Sequence, residues 1–184
     1  MGKSKIVIYS HRSASAALVA EIVGCDSAEV ICCSSPDQII STCIHKQPDL
    51  VIVLAVKPFI NGSLLIDDAY NSNPEGCLEA VRVLGSFNGM QKVIVTPGLV
   101  ELGDKEYEYN YDLGSEAAKH CDDIILVGVK RAVPLKKAAE DKGFSSSHLI
   151  VAESFKDAME HLKNMTDNNT VVLFENDLPD NYAG

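Results

Sequence analysis

The sequence lacks a basic patch and a long apolar run, and each absence removes a class of function. The 184-residue chain carries a formal net charge of −10. Such an acidic surface repels phosphate backbones, so we expect no nucleic-acid partner. No run reaches the roughly 18 apolar residues of a membrane span, and the opening residues, MGKSKIVIYS, lack the apolar core of a signal peptide. The sequence therefore predicts a cytoplasmic protein without membrane insertion.

The chain also lacks any C-x-x-C pair, although it contains six cysteines. No histidine or cysteine stands at ligand spacing around them, which argues against a zinc site. The cysteines are therefore predicted to be reduced and mostly buried thiols, and we predict no metal-binding residues.

Short β-branched runs alternate with segments of helical period along the chain. The strands are predicted at 5–9, 29–33, 49–56, 63–67, 92–97, 123–128, 148–152 and 170–175. The helices are predicted at 13–24, 36–46, 74–87, 104–121, 132–144 and 154–165. Continuous apolar strands separated by helices are typical of an α/β fold with a mostly parallel sheet covered on both faces. Ligands of such sheets bind beyond the carboxyl ends of the strands.

The most polar of the strand-to-helix turns is LIDDAYNSNPEG, residues 65–76. Pro74 suits the first position of a helix, and either Asn71 or Asn73 could cap that helix. The free backbone N–H groups of a helix start favour an anion or a ribose-phosphate edge. The same residues would equally serve only to cap the helix and build an Asx-turn.

Two further polar turns follow predicted strands. TPGLVELGDKEYEYN, residues 96–110, offers Glu101 either as a cap for the next helix or as a group in the cleft, and ENDLPDNY, residues 175–182, follows the last strand. Because all three turns fall at predicted carboxyl ends, we expect them to converge on one site.

The order IDDAYNSNPEG, helix, TPGLVELG resembles the C-terminal domain of Mur ligases, whose sequences read DDxYNxNP and later ELG before a helix. The resemblance is closest to the MurF branch, which adds D-Ala-D-Ala to the muramyl peptide. It covers residues 62–184, and it implies a Rossmann-like domain preceded by an α/β extension over residues 1–61.

The resemblance also implies a function in peptidoglycan-precursor synthesis. Such ligases use Mg-ATP to activate a carboxylate as an acyl phosphate, which an amine then attacks. Asp68 matches the acid that contacts the ATP ribose. Tyr70, Asn71 and Asn73 match the loop that faces nucleotide and UDP-muramyl-peptide, and Glu101 is a further candidate of that kind.

A complete ligase of this family needs the P-loop G-x-x-x-x-G-K-[ST], and this chain has only Gly2-Lys3-Ser4 without a strand before it. We therefore predict a ligase lobe that is inactive alone, carries no catalytic residue and works with a P-loop-containing domain or subunit. Near the C-terminus many relatives carry a KGS loop, where this sequence reads FENDLPDNY. The alternative is a non-catalytic binding or regulatory module for a nucleotide or sugar-nucleotide.

The first sixty residues permit two comparisons. They are similar to the end of a Mur central domain, in which Lys46 would stand near a phosphate. They are equally similar to the first half of a response-regulator receiver, but Leu54 stands where the phosphoacceptor aspartate would be. On that second comparison the segment is a half-domain without phosphotransfer, because the carboxylates of a magnesium site are missing.

Overall fold

The computed structural model describes residues 4–10, 28–33, 36–47, 50–54, 56–69 and 73–176. The predicted helix over 13–24 lies outside these residues. The chain divides into two compact units, Met1–Lys57 and Pro58–Gly184. Of the described helices, none combines the length and the apolar character that crossing a membrane requires.

The first unit contains a small parallel sheet. Its elements are β1 (Ser4–Ser10), β2 (Ala28–Cys33), α1 (Pro36–Lys46) and β3 (Leu50–Leu54). The strand order is β2-β1-β3, and both pairings are parallel. The prediction of one strand over 49–56 is wrong, since β3 ends at Leu54 and a strand of a different sheet begins at Val56. An uninterrupted apolar run does not show where one strand ends and the next begins.

The second unit is built on a six-stranded sheet with the order β4-β5-β9-β6-β7-β8, whose first strand, β4, begins two residues before the unit boundary. The pairs β5–β9, β9–β6, β6–β7 and β7–β8 are all parallel. In chain order the elements are β4 (Val56–Pro58), β5 (Leu64–Asp68), α2 (Pro74–Gly85), β6 (Gln91–Thr96), α3 (Glu106–His120), β7 (Asp123–Val127), α4 (Ala132–Asp141), β8 (Leu149–Ala152), α5 (Phe155–Met165) and β9 (Thr170–Glu175).

The sheet is apolar on both faces because helices cover both. One face packs against α5 through a cluster that includes Leu65, Val95, Val172 and Leu162. Phe174 closes the end of that cluster, with its ring in edge contact with two further phenylalanine rings at centroid distances of 5.3 and 5.5 Å. Successive residues of a strand point to opposite faces. The residues that alternate with this cluster therefore face the other helix layer, and the strands read as continuous apolar runs.

Helix α5 is capped by Ser154. The Ser154 side chain accepts a hydrogen bond from the backbone N–H of Asp157 at 3.2 Å, and the Asp157 carboxylate accepts one from the N–H of Glu153 at 3.1 Å. The first bond satisfies one of the N–H groups that a helix start leaves without an intrahelical partner, and the second holds the residue that precedes the cap.

Helices α3 and α4 cross at a glycine. A Cβ atom on Gly114 would lie 2.5 Å from the backbone oxygen of Leu135 and 2.7 Å from its Cα atom. Only glycine allows the two backbones to approach this closely without a shift.

A buried acid joins α2 to α3. Glu116 is 7% exposed, and its carboxylate accepts hydrogen bonds from Arg82 of α2 at 2.8 Å and from Lys119 at 2.6 Å. Burial by itself would raise the pKa of Glu116. The hydrogen bonds from Lys119 and Arg82 outweigh burial and hold that pKa at about 2. The carboxylate is therefore charged throughout the neutral range.

Candidate functional site

Three polar turns begin at the carboxyl ends of three adjacent strands. The strands β5, β9 and β6 are neighbours in the sheet, and all run in the same direction. They end at Asp68, Glu175 and Thr96 respectively. The described starts of the predicted turns therefore lie side by side at one edge of the sheet, where α/β folds bind ligands.

In the first turn, Asn73 caps α2. Its Oδ1 atom accepts a hydrogen bond from the backbone N–H of Gly76 at 2.9 Å, and Pro74 occupies the first position of the helix. Both local predictions are confirmed, with Asn73 as the cap. The predicted site residues Tyr70 and Asn71 lie outside the described residues.

The two acids that end β5 differ in exposure, since Asp67 is half-buried and Asp68 is exposed. Partial burial of its carboxyl group raises the pKa of Asp68. The neighbouring Glu175 side chain opposes that shift in the pKa, and the negative charge of Asp67 adds to it. Asp68 is thus exposed to solvent at the end of its strand, and its register partner on the neighbouring strand is Glu175.

Two residues at the end of β9 were not predicted as site residues. Glu175 is fully buried, and it lies in register with Asp68 on the neighbouring strand. Asn176 has a φ of 65°, and its backbone N–H donates to the Asp68 carbonyl at 3.2 Å. Its side-chain amide donates to the carbonyl of Gly98. Asn176 therefore ties the turn after β6 to β5. The signal in the sequence was an acid and an asparagine that directly continue an apolar strand.

The turn after β6 is held by a buried asparagine that was also missed. The Oδ1 atom of Asn110 accepts from the N–H of Leu99 at 2.8 Å, and its Nδ2 atom donates to the carbonyls of Leu99 at 2.9 Å and Glu106 at 2.8 Å. The turn passes close to this amide at Gly98, where φ is 81° and a Cβ atom would lie 2.5 Å from Asn110 Oδ1. Glycine is therefore required at this bend.

Glu101 lies in the same turn as an exposed residue with a φ of 63°. Helix α3 begins at Glu106 without a hydrogen bond from a capping side chain. The alternative that Glu101 caps this helix is therefore wrong, because four residues separate it from the helix start.

Lys46, the remaining predicted site residue, is exposed in the last turn of α1 in the first unit. It belongs to a different unit from the three turns.

A cavity of about 320 Å³ opens beside the turn after β6. Its lining residues are Glu106, Tyr107, Asn110, Lys130, Arg131 and Pro134. Asn110 is the one lining residue that also holds the turn. Within the described ranges no group of three or more His, Cys, Asp or Glu side chains could hold a metal ion.

Comparison with known proteins identifies the family. The family model described as "Mur ligase, glutamate ligase domain" matches residues 54–175. The chain belongs to the Mur ligase family, and the match falls on the C-terminal domain of these enzymes. The predicted family and the predicted α/β fold are both confirmed.

Solved structures and a curated relative lead to the same branch. MurF from Acinetobacter baumannii is 28% identical and has a TM-score of 0.54, with 67% of this chain and 26% of that chain covered. MurF from Thermotoga maritima in complex with ADP is 23% identical, with a TM-score of 0.51 over the same shares, and it shows the shared fold. The UDP-N-acetylmuramoyl-tripeptide–D-alanyl-D-alanine ligase of Buchnera aphidicola is 39% identical over 54 residues, which cover 29% of this chain and 12% of that protein. The chain therefore spans only a minor part of these relatives.

Proposed function

We propose that this chain is the C-terminal lobe of a Mur-type ATP-dependent amide ligase that acts on a UDP-muramyl-peptide in the cytoplasm. The observation that carries the proposal is the position of Asp68 in the matched domain, at the carboxyl end of β5 and beside the polar turns that follow β9 and β6. A carboxylate in this position accepts hydrogen bonds from ribose hydroxyls, as acids at the ends of α/β strands do in other nucleotide sites.

The residues present fit the nucleoside end of Mg-ATP but not its phosphates. The chain contains no G-x-x-x-x-G-K-[ST] sequence, whose backbone N–H groups and lysine would hold the phosphates. A P-loop-containing domain or subunit supplies that part in this proposal. Mg-ATP, when bound there, provides the phosphoryl group that activates the carboxylate of the muramyl peptide.

The role of this lobe is positional. Asp68 and the cap residue Asn73 stand at the two ends of the turn that would face the nucleotide. Tyr70 and Asn71, which lie between them in the sequence, remain predictions. Glu101 would approach from the neighbouring turn, and closure over a partner domain would exclude water from the reacting carboxylate.

The test begins with purification of the chain from its own cytosol and identification of a partner that bears a P-loop. ATP-dependent ligation is then measured for the pair with Asp68→Asn and with the matched control Asp112→Asn, an exposed acid on α3. We expect Asp68→Asn to abolish turnover and Asp112→Asn to leave it unchanged. Equal turnover in the two variants would contradict the proposed role of Asp68.

The second candidate is a non-catalytic module that binds a nucleotide or sugar-nucleotide. The absence of a P-loop sequence favours it. A chain that purifies alone and binds ADP without any turnover would support this function instead of the ligase lobe.

A further inference from the structure

Two carboxyl groups meet at the edge of the sheet. Asp68 and Glu175 are register partners on the parallel strands β5 and β9. Their side chains project to the same face because register partners of neighbouring strands point the same way. The Glu175 carboxyl group lowers the pKa of its neighbour Asp68, as a hydrogen-bond donor to the Asp68 carboxylate would. Glu175 is 0% exposed, whereas Asp68 reaches solvent.

A hydrogen bond between two carboxyl groups requires a proton on one of them, since an ionised carboxylate only accepts. Burial disfavours the charged form of an acid, so the proton belongs on the more buried partner. The further charge next to the pair is the negative charge of Asp67 rather than a cation. The pair therefore resembles the paired acids of other proteins, which share one proton because two adjacent charges repel.

Among the described residues, the elements around the pair supply few other charges. Below it on the same face lie Ile66 and Leu173, both buried and apolar. Helix α2 packs against β9, and its buried titratable residue is Cys77. Its two acids are exposed, and its Arg82 is bonded to Glu116.

From strand β6, on the other side of β9, Thr96 ends the strand as a buried hydroxyl group without a charge.

We propose that Glu175 holds a proton at neutral pH, donates it to the Asp68 carboxylate and thereby positions Asp68 toward the nucleotide. The positioning role depends on the proposed function, but the protonated state of Glu175 does not. The pair carries one negative charge in this state. Removal of the proton at alkaline pH leaves two adjacent carboxylates, which repel each other and turn Asp68 away from its ligand.

The first experiment follows the proton without any ligand. The side-chain carboxyl groups of glutamate are labelled with ¹³C in the full chain, and Glu175→Gln assigns the Glu175 resonance by its disappearance. We expect this resonance to remain at the position of a protonated acid through neutral pH and to titrate only under alkaline conditions. A Glu175 resonance that titrates together with the exposed glutamates would overturn the proposal.

The second experiment measures the affinity for ADP by titration followed by NMR. Gln donates a hydrogen bond to Asp68 at every pH, so Glu175→Gln should stay within about twofold of wild type and lose the alkaline decline. Met has a similar length but no donor, and Glu175→Met should weaken binding about tenfold. Equal affinities and equal pH profiles for all three proteins would overturn the positioning role.

The two experiments separate the inference from the function on which it depends. If wild type does not bind ADP at all, the nucleotide function and the positioning role both fail. The carboxyl titration still decides whether Glu175 holds a proton. If ADP binds and Asp68→Asn binds equally well, the contact between Asp68 and the nucleotide and the positioning role of Glu175 are both refuted, while nucleotide binding by the lobe stands.

Discussion

Replacement of Asn110 by alanine tests how the turn after β6 is held. Asn110 is 3% exposed and makes three hydrogen bonds, two of them to the N–H and C=O groups of Leu99. Leu99 is itself 3% exposed. The substitution would leave both backbone groups of Leu99 buried without this partner, whereas the Glu106 carbonyl belongs to a partly exposed residue.

The expected cost follows from these partners. Each buried backbone group that loses its hydrogen bond costs about 1–2 kcal/mol, which gives about 2–4 kcal/mol for the two groups of Leu99. Alanine is the better helix former and returns up to about 0.7 kcal/mol. We therefore expect Asn110→Ala to lower the free energy of unfolding by about 2–3 kcal/mol.

The measurement is urea unfolding at neutral pH, with Asn164→Ala as the matched control. Asn164 also lies in a helix and donates to the carbonyl four residues earlier, at 3.0 Å, but it is exposed. The control should change stability by less than about 0.5 kcal/mol. If the two variants lose equal stability, or if Asn110→Ala loses none, the reasoning from buried partners is refuted.

Three further predictions concern single positions. Gly114→Ala should lower stability by about 1–3 kcal/mol because its methyl group meets the Leu135 backbone, and an unchanged thermal midpoint would contradict the close crossing. The pKa of Glu116 is about 2 in the folded protein, so its ion pairs stabilise the fold fully at pH values above the pKa that Glu116 has in the unfolded chain. As the pH falls from there towards 2, the free energy of unfolding should decrease by about 1–2 kcal/mol. Urea titrations of Glu116→Gln should show a flatter dependence over that range, and an unchanged slope would count against the ion pairs. The pKa of Asp68 is raised in the folded protein, so the charged carboxylate lowers stability at pH values above the usual pKa of an aspartate. Asp68→Asn should therefore melt at a higher temperature than wild type at pH 7, and a lower thermal midpoint would contradict this.

Much of the fold follows from local sequence pattern. The strands and helices of the second unit have apolar periods, and caps such as Asn73 and Ser154 mark helix starts within a residue of the observed ones. These signals are local, so they can be read from a few neighbouring residues. The strand over 49–56 failed because its break lies inside a run that is apolar throughout.

Only part of the candidate site could be predicted from the sequence, because its other residues depend on contacts between distant parts of the chain. Asp68 and Asn73 stand within one recognisable turn, and the sequence resemblance identified them. Glu175 and Asn110 matter because of the residues that they meet, which are far from them in the chain. No local pattern records the register of β9 against β5, so the partner of Asp68 could be found only from the structure.

The position of β9 has a consequence for how this unit comes together during synthesis. β9 follows every other strand of the sheet in the chain, yet it lies between β5 and β6. Until β9 has left the ribosome, these two strands have no partner between them and present open edges on which other chains can pair. Such long-range parallel pairing is slow to form. A nascent chain therefore passes through a stage at which aggregation competes with folding, and Glu175 and Asn176 complete the sheet and its candidate site in the same late step.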